Sequence, residues 1–345
     1  MANIVMAEIG IPFDGRALER GPLGGVETSV ILLAEALAAR GHRVSAIVKT
    51  DAVLEHNGVR WLPAPGEDLG EDLGAVDLFI ANRSPRLFAL APEARRKILW
   101  LWAPARYLRK LRHLWPLWRH RPLAVTLSRY HSSTLRWWMP VSREVVMPIA
   151  PEPVFMTAAP AAGVPGPRAV FLSNPERSLD WVLNLWAEKV RPAVPSAELH
   201  LFVGPQTYGG LRAERMAPVM AQARAMAAEG VVLRDPLPKH LLADELRAAR
   251  VMVFRGDLGE TYCLAAAAAQ AMGVPLVTAG LGSLAERVVD GVTGTIAAEP
   301  DAFAAATIAL LTDDDLWSAQ HTAALEQRDS RTWDDIAADV EALLP

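Results

Sequence analysis

The chain has 345 residues, 51% hydrophobic and 21% charged, which suffices for two soluble globular domains and excludes a disordered or fibrous chain. Its one cysteine, Cys263, excludes an internal disulfide and a cysteine metal cluster, and it fits a reducing compartment. The formal net charge is only −4, and no nucleic-acid partner is expected.

Residues 3–9 lack the basic flank and long apolar core of a signal peptide and read as a first strand. No run of eighteen apolar residues follows, so a cytoplasmic location is expected. Further strands are expected over 43–48, 59–62, 77–81, 98–102, 124–128 and 145–149, with helices between them. The clearest helix covers 26–39, with Val30, Leu33, Ala34 and Leu37 on one face and Gly41 as its stop. Pro151, Pro153, Pro160, Pro165 and Pro167 mark 150–168 as a linker, dividing the chain into domains 1–152 and 153–345. The second domain repeats the pattern, with strands over 169–172, 198–203, 231–234, 251–254, 275–278 and 295–297. Helices are expected over 179–191, 211–228, 239–249, 262–272, 301–311, 315–327 and 333–344, the last a candidate to pack back on the first domain. Alternation of this kind builds doubly wound parallel sheets, and two such domains leave a cleft between facing strand ends.

Charge is unevenly placed. From Arg83 to Arg121 there are eleven cations against one acid, Glu93, and Trp100, Trp102, Trp115, Trp118, Trp137 and Trp138 crowd nearby. Cations beside interfacial aromatics suit peripheral contact with an anionic membrane or a lipid-linked acceptor.

The most informative stretch runs Glu260-Thr-Tyr-Cys-Leu264, through Gly273-Val-Pro275, to Gly282-Ser-Leu-Ala-Glu286 and Asp290-Gly-Val-Thr-Gly294. Glu260 falls beyond the carboxyl end of an apolar strand and before a helix N-terminus, where open α/β sheets bind ligands. The amides of Tyr262, Cys263 and Leu264 would there face an anion, and a phosphate is the natural guest. This segment resembles the donor-site signature of family 4 retaining glycosyltransferases of GT-B fold, in which a second Glu follows eight residues after the first. Eight helical residues rise about 12 Å, enough for one carboxylate to hold each end of a nucleotide sugar. Here the second position is Ala268.

The resemblance extends to Gly24-Gly25, between the first strand and first helix, which is similar to the turn the family sets against the donor; glycines there also permit close backbone approach. The stretch is not the G-x-G-x-x-G fingerprint, which counts against a nicotinamide oxidoreductase. Ser173-Asn174-Pro175-Glu176-Arg177 matches the family's diphosphate clamp. Arg177 stands at the Lys position, while Leu172 replaces the second cation and Ser178 replaces a Gly. At the end of the 98–102 strand, where many relatives carry His-Asp, this chain has Trp102-Ala103, and an indole exchanges no proton at neutral pH. His113, His120, His131, His240 and His321 are expected on the surface, while His42, His56 and His200 are expected to be structural. Glu286 matches a recurrent family acid; it either supports the donor turn or caps the short helix from Ser283. Asp313 to Asp315 read as a helix start, and no ligand cluster calls for a metal.

The resemblance implies a GT-B protein of two Rossmann-like domains, retaining a sugar's configuration as it moves from a nucleoside diphosphate donor to a glycan or lipid-linked acceptor, with no cofactor. Glu260 would hold the sugar hydroxyls. Gly24, Gly25, Ser173, Asn174, Arg177, Thr261, Tyr262, Cys263 and Leu264 would bind the rest of the donor. The alternative is a GT-B domain that binds a nucleotide, glycan or protein without turnover.

Overall fold

A computed structural model describes residues 1–64, 73–204 and 210–345. The chain forms two compact units, Met1–Ile149 with Arg331–Pro345, and Ala150–Ser330.

The first unit holds an eight-stranded sheet of β1 (Asn3–Pro12), β2 (Arg43–Lys49), β3 (Leu54–His56), β4 (Val59–Pro63), β5 (Leu78–Asn82), β6 (Arg96–Trp100), β7 (Leu123–Thr126) and β8 (Arg143–Val146). Its order is β3-β4-β2-β1-β5-β6-β7-β8, parallel throughout except for the antiparallel β3–β4 pair. The central strands are covered on both faces, which is why they read as unbroken apolar runs: Ile4 to Ala7 and Leu78 to Ala81 are fully buried. The strand β3 was not legible beforehand. Its Leu-Glu-His run is too short to show a period, and tertiary pairing with β4 creates it.

The helix Gly25–Ala39 buries Val30, Ile31, Leu33, Ala34 and Leu37. It stops at Gly41, whose φ of +87° lets its N–H reach Ala38 O while His42 N–H reaches Leu37 O, so a left-handed residue satisfies two end carbonyls. The helix Trp333–Glu341 starts with a capping box between Thr332 and Asp335 and packs on that same helix. Arg40 fastens it through Asp334 at 2.9 Å and Glu341 at 2.7 Å, and His42 Nε2 lies 2.7 Å from Glu341.

The second unit has β9 (Arg168–Phe171), β10 (Glu198–Phe202), β11 (Val231–Arg234), β12 (Val251–Val253), β13 (Leu276–Thr278) and β14 (Gly294–Ile296) in the all-parallel order β11-β10-β9-β12-β13-β14. The proline-rich segment from Ala150 is part of this unit. Pro153–Thr157 is a short helix whose Phe155 is fully buried among the core of β9 and β12, so one aromatic anchors what composition alone marks as linker.

Candidate functional site

Glu260 owes its position to two glycine-dependent turns. Beyond β12 the chain turns through Gly256, at φ +83°, and Glu260 N–H donates to Asp257 O at 3.2 Å. The loop after β13 closes over it, with Ser283 N–H donating to Glu260 O at 3.0 Å. Gly282, at φ +66°, comes so close that a Cβ there would lie 2.5 Å from Glu260 O and 2.8 Å from Asp257 O. The helix Leu264–Ala271 starts immediately afterwards from Cys263, itself left-handed at φ +65°.

The second loop leaves β9, the sheet neighbour of β12. Asn174 shapes it: its side-chain oxygen accepts from Glu176 N–H and its carbonyl from Arg177 N–H, both at 2.9 Å. That turn delivers Arg177 onto Glu260, where Nη1 donates to Oε1, with Asp257 3.9 Å from Nε. Ser173 also hydrogen-bonds the Glu260 carboxylate. Ser173, Arg177 and Glu260, separate in sequence, are therefore one assembly at adjoining strand ends. The Glu260 side chain is only 5% exposed, and burial pushes its carboxyl above the usual carboxylate range, against the opposing pull of Arg177 and Ser173. Burial also works against the charge of Arg177, but Glu260 holds its guanidinium protonated.

Thr261, Tyr262 and Cys263 are buried beside the assembly and Leu264 is half-buried. Desolvation pushes the Cys263 thiol far up, so it is an inert packing group. Two cations not anticipated from sequence lie on the same loops. Arg255, two residues beyond β12, lies over the Trp181 ring at 5.3 Å, and Arg287 lies over Tyr262 at 4.2 Å. Their signal was position alone, one at a strand's carboxyl end and one in the turn after Gly282. Glu286 is exposed and lines a cavity of about 260 Å³ with Gln270, Arg287 and Arg328. A capping box does not form there, because Ser283 N–H is already given to Glu260 O. Ala268 is 4% exposed and packs within the core of the unit. A larger cavity of about 510 Å³ lies at the amino ends of β9 and β10, beside Arg168 and Glu198, and none of the expected site residues line it.

In the first unit, Gly24 caps the helix Gly25–Ala39 and neither glycine has a positive φ, so the turn is not there to relieve strain. Glu27, in the first turn of that helix, is 3% exposed, and Glu8 on β1 is 1% exposed. Arg83, left-handed at φ +62°, lies between them, 2.5 Å from Glu27 and 3.3 Å from Glu8. This cation is therefore paired with two buried carboxylates and does not add to the unpaired basic charge expected from sequence. Desolvation raises the Glu8 carboxyl to about 7, with Arg83 opposing and Glu27 reinforcing. The signal for Glu8 was a lone acid inside an apolar strand.

Trp102 stacks on Trp100 at 5.3 Å and donates to Asn82 Oδ1 at 3.0 Å. The surface placement of several histidines is corrected. His131 is fully buried, its Nε2 donating to Ala103 O at 3.0 Å and its Nδ1 accepting from Leu127 N–H at 3.1 Å. Burial lowers its pKa to about 4, so it is a neutral brace between two strand ends. His113 and His321 are also buried, the latter stacked on Trp317 and bonded to Gly273 O at 2.7 Å. Asp313 does start a helix, accepting from Leu316 N–H.

Residues 166–313 match the family model for glycosyl transferases group 1. The chain is 38% identical over 101 residues to a D-inositol 3-phosphate glycosyltransferase of Kribbella flavida, covering 29% of this chain and 24% of that protein. It is 33% identical over 150 residues to the like-named protein of Streptomyces coelicolor, covering 43% of this chain and 32% of that protein. The matched part thus spans under one third of either relative. Among solved structures, sucrose-phosphate synthase from Thermosynechococcus elongatus superposes with a TM-score of 0.78 at 16% identity, over 99% of this chain and 98% of that one. Anabaena Alr3699/HepE, solved in complex with UDP-glucose, does so with a TM-score of 0.72 at 15% identity, over 99% of each chain. These likenesses carry the fold, which is GT-B, and the family likeness is confined to residues 166–313, which match the model for glycosyl transferases group 1.

Proposed function

We propose that this protein is a retaining glycosyltransferase, moving a sugar from a nucleoside diphosphate donor to a hydroxyl of a glycan or lipid-linked acceptor. The observation that carries this reading is the Ser173–Arg177–Glu260 assembly at the carboxyl ends of β9 and β12, inside the family-matched segment. A carboxylate has about four lone-pair positions, so with Arg177 and Ser173 bound, two remain to accept from sugar hydroxyls. Arg177, still 33% exposed, meets the leaving diphosphate, joined by the amides from Thr261 to Leu264 at the start of the following helix and by the Ser173–Asn174 turn.

In the reaction, the bond from the anomeric carbon to the phosphate oxygen breaks. A new bond to the acceptor oxygen forms on the same face, and the acceptor's proton passes to the departing phosphate. Placed cations and amides stabilise the charge that grows on that phosphate, which is the protein's main catalytic contribution here. Gly24 and Gly25 permit close backbone approach to a ligand, and Glu286 supports the donor turn. No metal is required in this reading. We place the protein in the cytoplasm, consistent with its single cysteine; no helix of the described residues is long and apolar enough to cross a membrane.

The test is a titration with UDP, GDP and ADP, followed by hydrolysis assays on the corresponding sugar donors, with and without EDTA. Binding and slow donor hydrolysis that survive EDTA support transfer. Tight nucleotide binding with no turnover of any donor supports the alternative, a GT-B domain that binds without catalysis, which the burial of Ala268 and the Trp102-Ala103 pair favour.

A further inference from the structure

Between Glu93 and Glu144 the sequence contains no Asp or Glu at all. The structure divides the cations of this stretch. Arg95 pairs with Asp77 and Arg96 donates to Leu343 O, while Arg106, Arg109, Lys110, Arg112, Arg119 and Arg121 are exposed. Among the described residues, none of those six has a carboxylate partner.

The helix Leu111–His120 lies among them. Its inner face is satisfied: His113 and Leu117 are buried, and Leu117 shares a core cluster with Phe88, Leu108 and Met139. Its outer face is apolar as well. Leu111, Trp115 and Trp118 follow the i, i+4, i+7 spacing of one helical stripe and are 83%, 66% and 65% exposed. The two indoles stack at 5.5 Å with 25° between planes. Trp137 and Trp138, 95% and 43% exposed, lie just upstream of Met139 in that cluster, and these four are the only tryptophans among the described residues so open to solvent.

We propose that this face docks on an anionic lipid bilayer, with Leu111, Trp115 and Trp118 entering the headgroup–acyl boundary and the six cations contacting lipid phosphates. Charge complementarity selects the occupant. Six exposed cations with no carboxylate partner among the described residues attract a diffuse anionic surface, whereas a protein partner would be met by a mixture of charges and directed acceptors. Trp and Leu at the same depth suit the bilayer interface. A single-stranded nucleic acid also uses cations and aromatics, and retention of poly-dT is the outcome that would favour it. The inference is independent of glycosyl transfer.

Co-sedimentation of the full chain with vesicles tests it. Vesicles containing phosphatidylglycerol should bind at low salt with a blue shift in tryptophan emission, pure phosphatidylcholine vesicles should bind far less, and high salt should release the protein. Replacing Trp115 and Trp118 with Ser should abolish the blue shift and weaken binding at least roughly tenfold. Arg109→Gln, Lys110→Gln and Arg112→Gln together should weaken it by roughly fivefold per charge. All five side chains are exposed, so circular dichroism should be unchanged and the variants report binding alone. The proposal is overturned by equal binding to both vesicles, by no binding to either, by retention of poly-dT without retention of vesicles, or by wild-type behaviour of the tryptophan variant.

Discussion

Arg177 and Glu260 are 83 positions apart, yet the guanidinium of one donates directly to the carboxylate of the other at adjoining strand ends. The family resemblance assigns Glu260 to the transferred sugar and Arg177 to the adjoining diphosphate. Their pairing means that a buried carboxylate is held in place, partly neutralised, before any sugar arrives. Preorganisation of this kind avoids reorganisation at the moment of reaction.

Glu260→Gln keeps the shape and an acceptor oxygen but removes the charge. Transfer should fall by roughly 10²–10³-fold. Binding of the free nucleotide, which has no sugar for Glu260 to touch, should change little. Calorimetry with nucleotide beside a turnover assay checks both, and unchanged turnover would displace Glu260 from the site.

Ala268 stands where the family carries its second acid, and restoring that acid looks attractive from sequence. The structure predicts a cost instead. Ala268 is 4% exposed within the core, so Ala268→Glu buries a carboxylate without a partner, and Tm should fall by several degrees. A thermal melt without ligand measures it; an unchanged Tm would mean the side chain reaches solvent.

Glu8 gives stability a definite pH dependence. Its carboxyl rises from an ordinary 4.5 to about 7 on folding, so between those values the folded state binds more protons than the unfolded state. Stability from this group is therefore greatest at the acid end of the window and is lost as pH rises towards and past 7, on the order of 3 kcal/mol in all. Denaturant titrations at pH 5 and pH 8 should show the decline. Glu8→Gln, which cannot ionise, should flatten it.

Gly282 tests how the Glu260 loop is built. Its φ is +66° and an added Cβ would strike two backbone oxygens, Glu260 O and Asp257 O, which have no flexible end to move. Gly282→Ala should cost about 2–4 kcal/mol. It should also reduce turnover, because relief of the clash displaces Glu260. A Tm equal to wild type would show that the loop yields freely.

Much of the architecture is written locally. Apolar runs such as Ile4 to Ala7 and Val251 to Val253, the Gly41 stop and the Asp313 start each follow from periodicity or from the chemistry of helix ends. For the same reason Glu260 could be placed beyond a strand and before a helix, since every group in that inference lies within a dozen residues. What the sequence could not determine depends on partners distant along the chain. Arg83 belongs to a uniformly basic stretch until β1 and the helix Gly25–Ala39 bring Glu8 and Glu27 against it. His131 has the neighbours of a surface residue, but Ala103 O and Leu127 N–H, supplied by two strand ends, enclose and neutralise it. The exposed stripe of Leu111, Trp115 and Trp118 emerges only once Leu117 and His113 occupy the inner face. Local patterns select the elements because backbone geometry is local; tertiary packing decides which charges are desolvated and paired, because Coulomb and burial energies depend on distance in space.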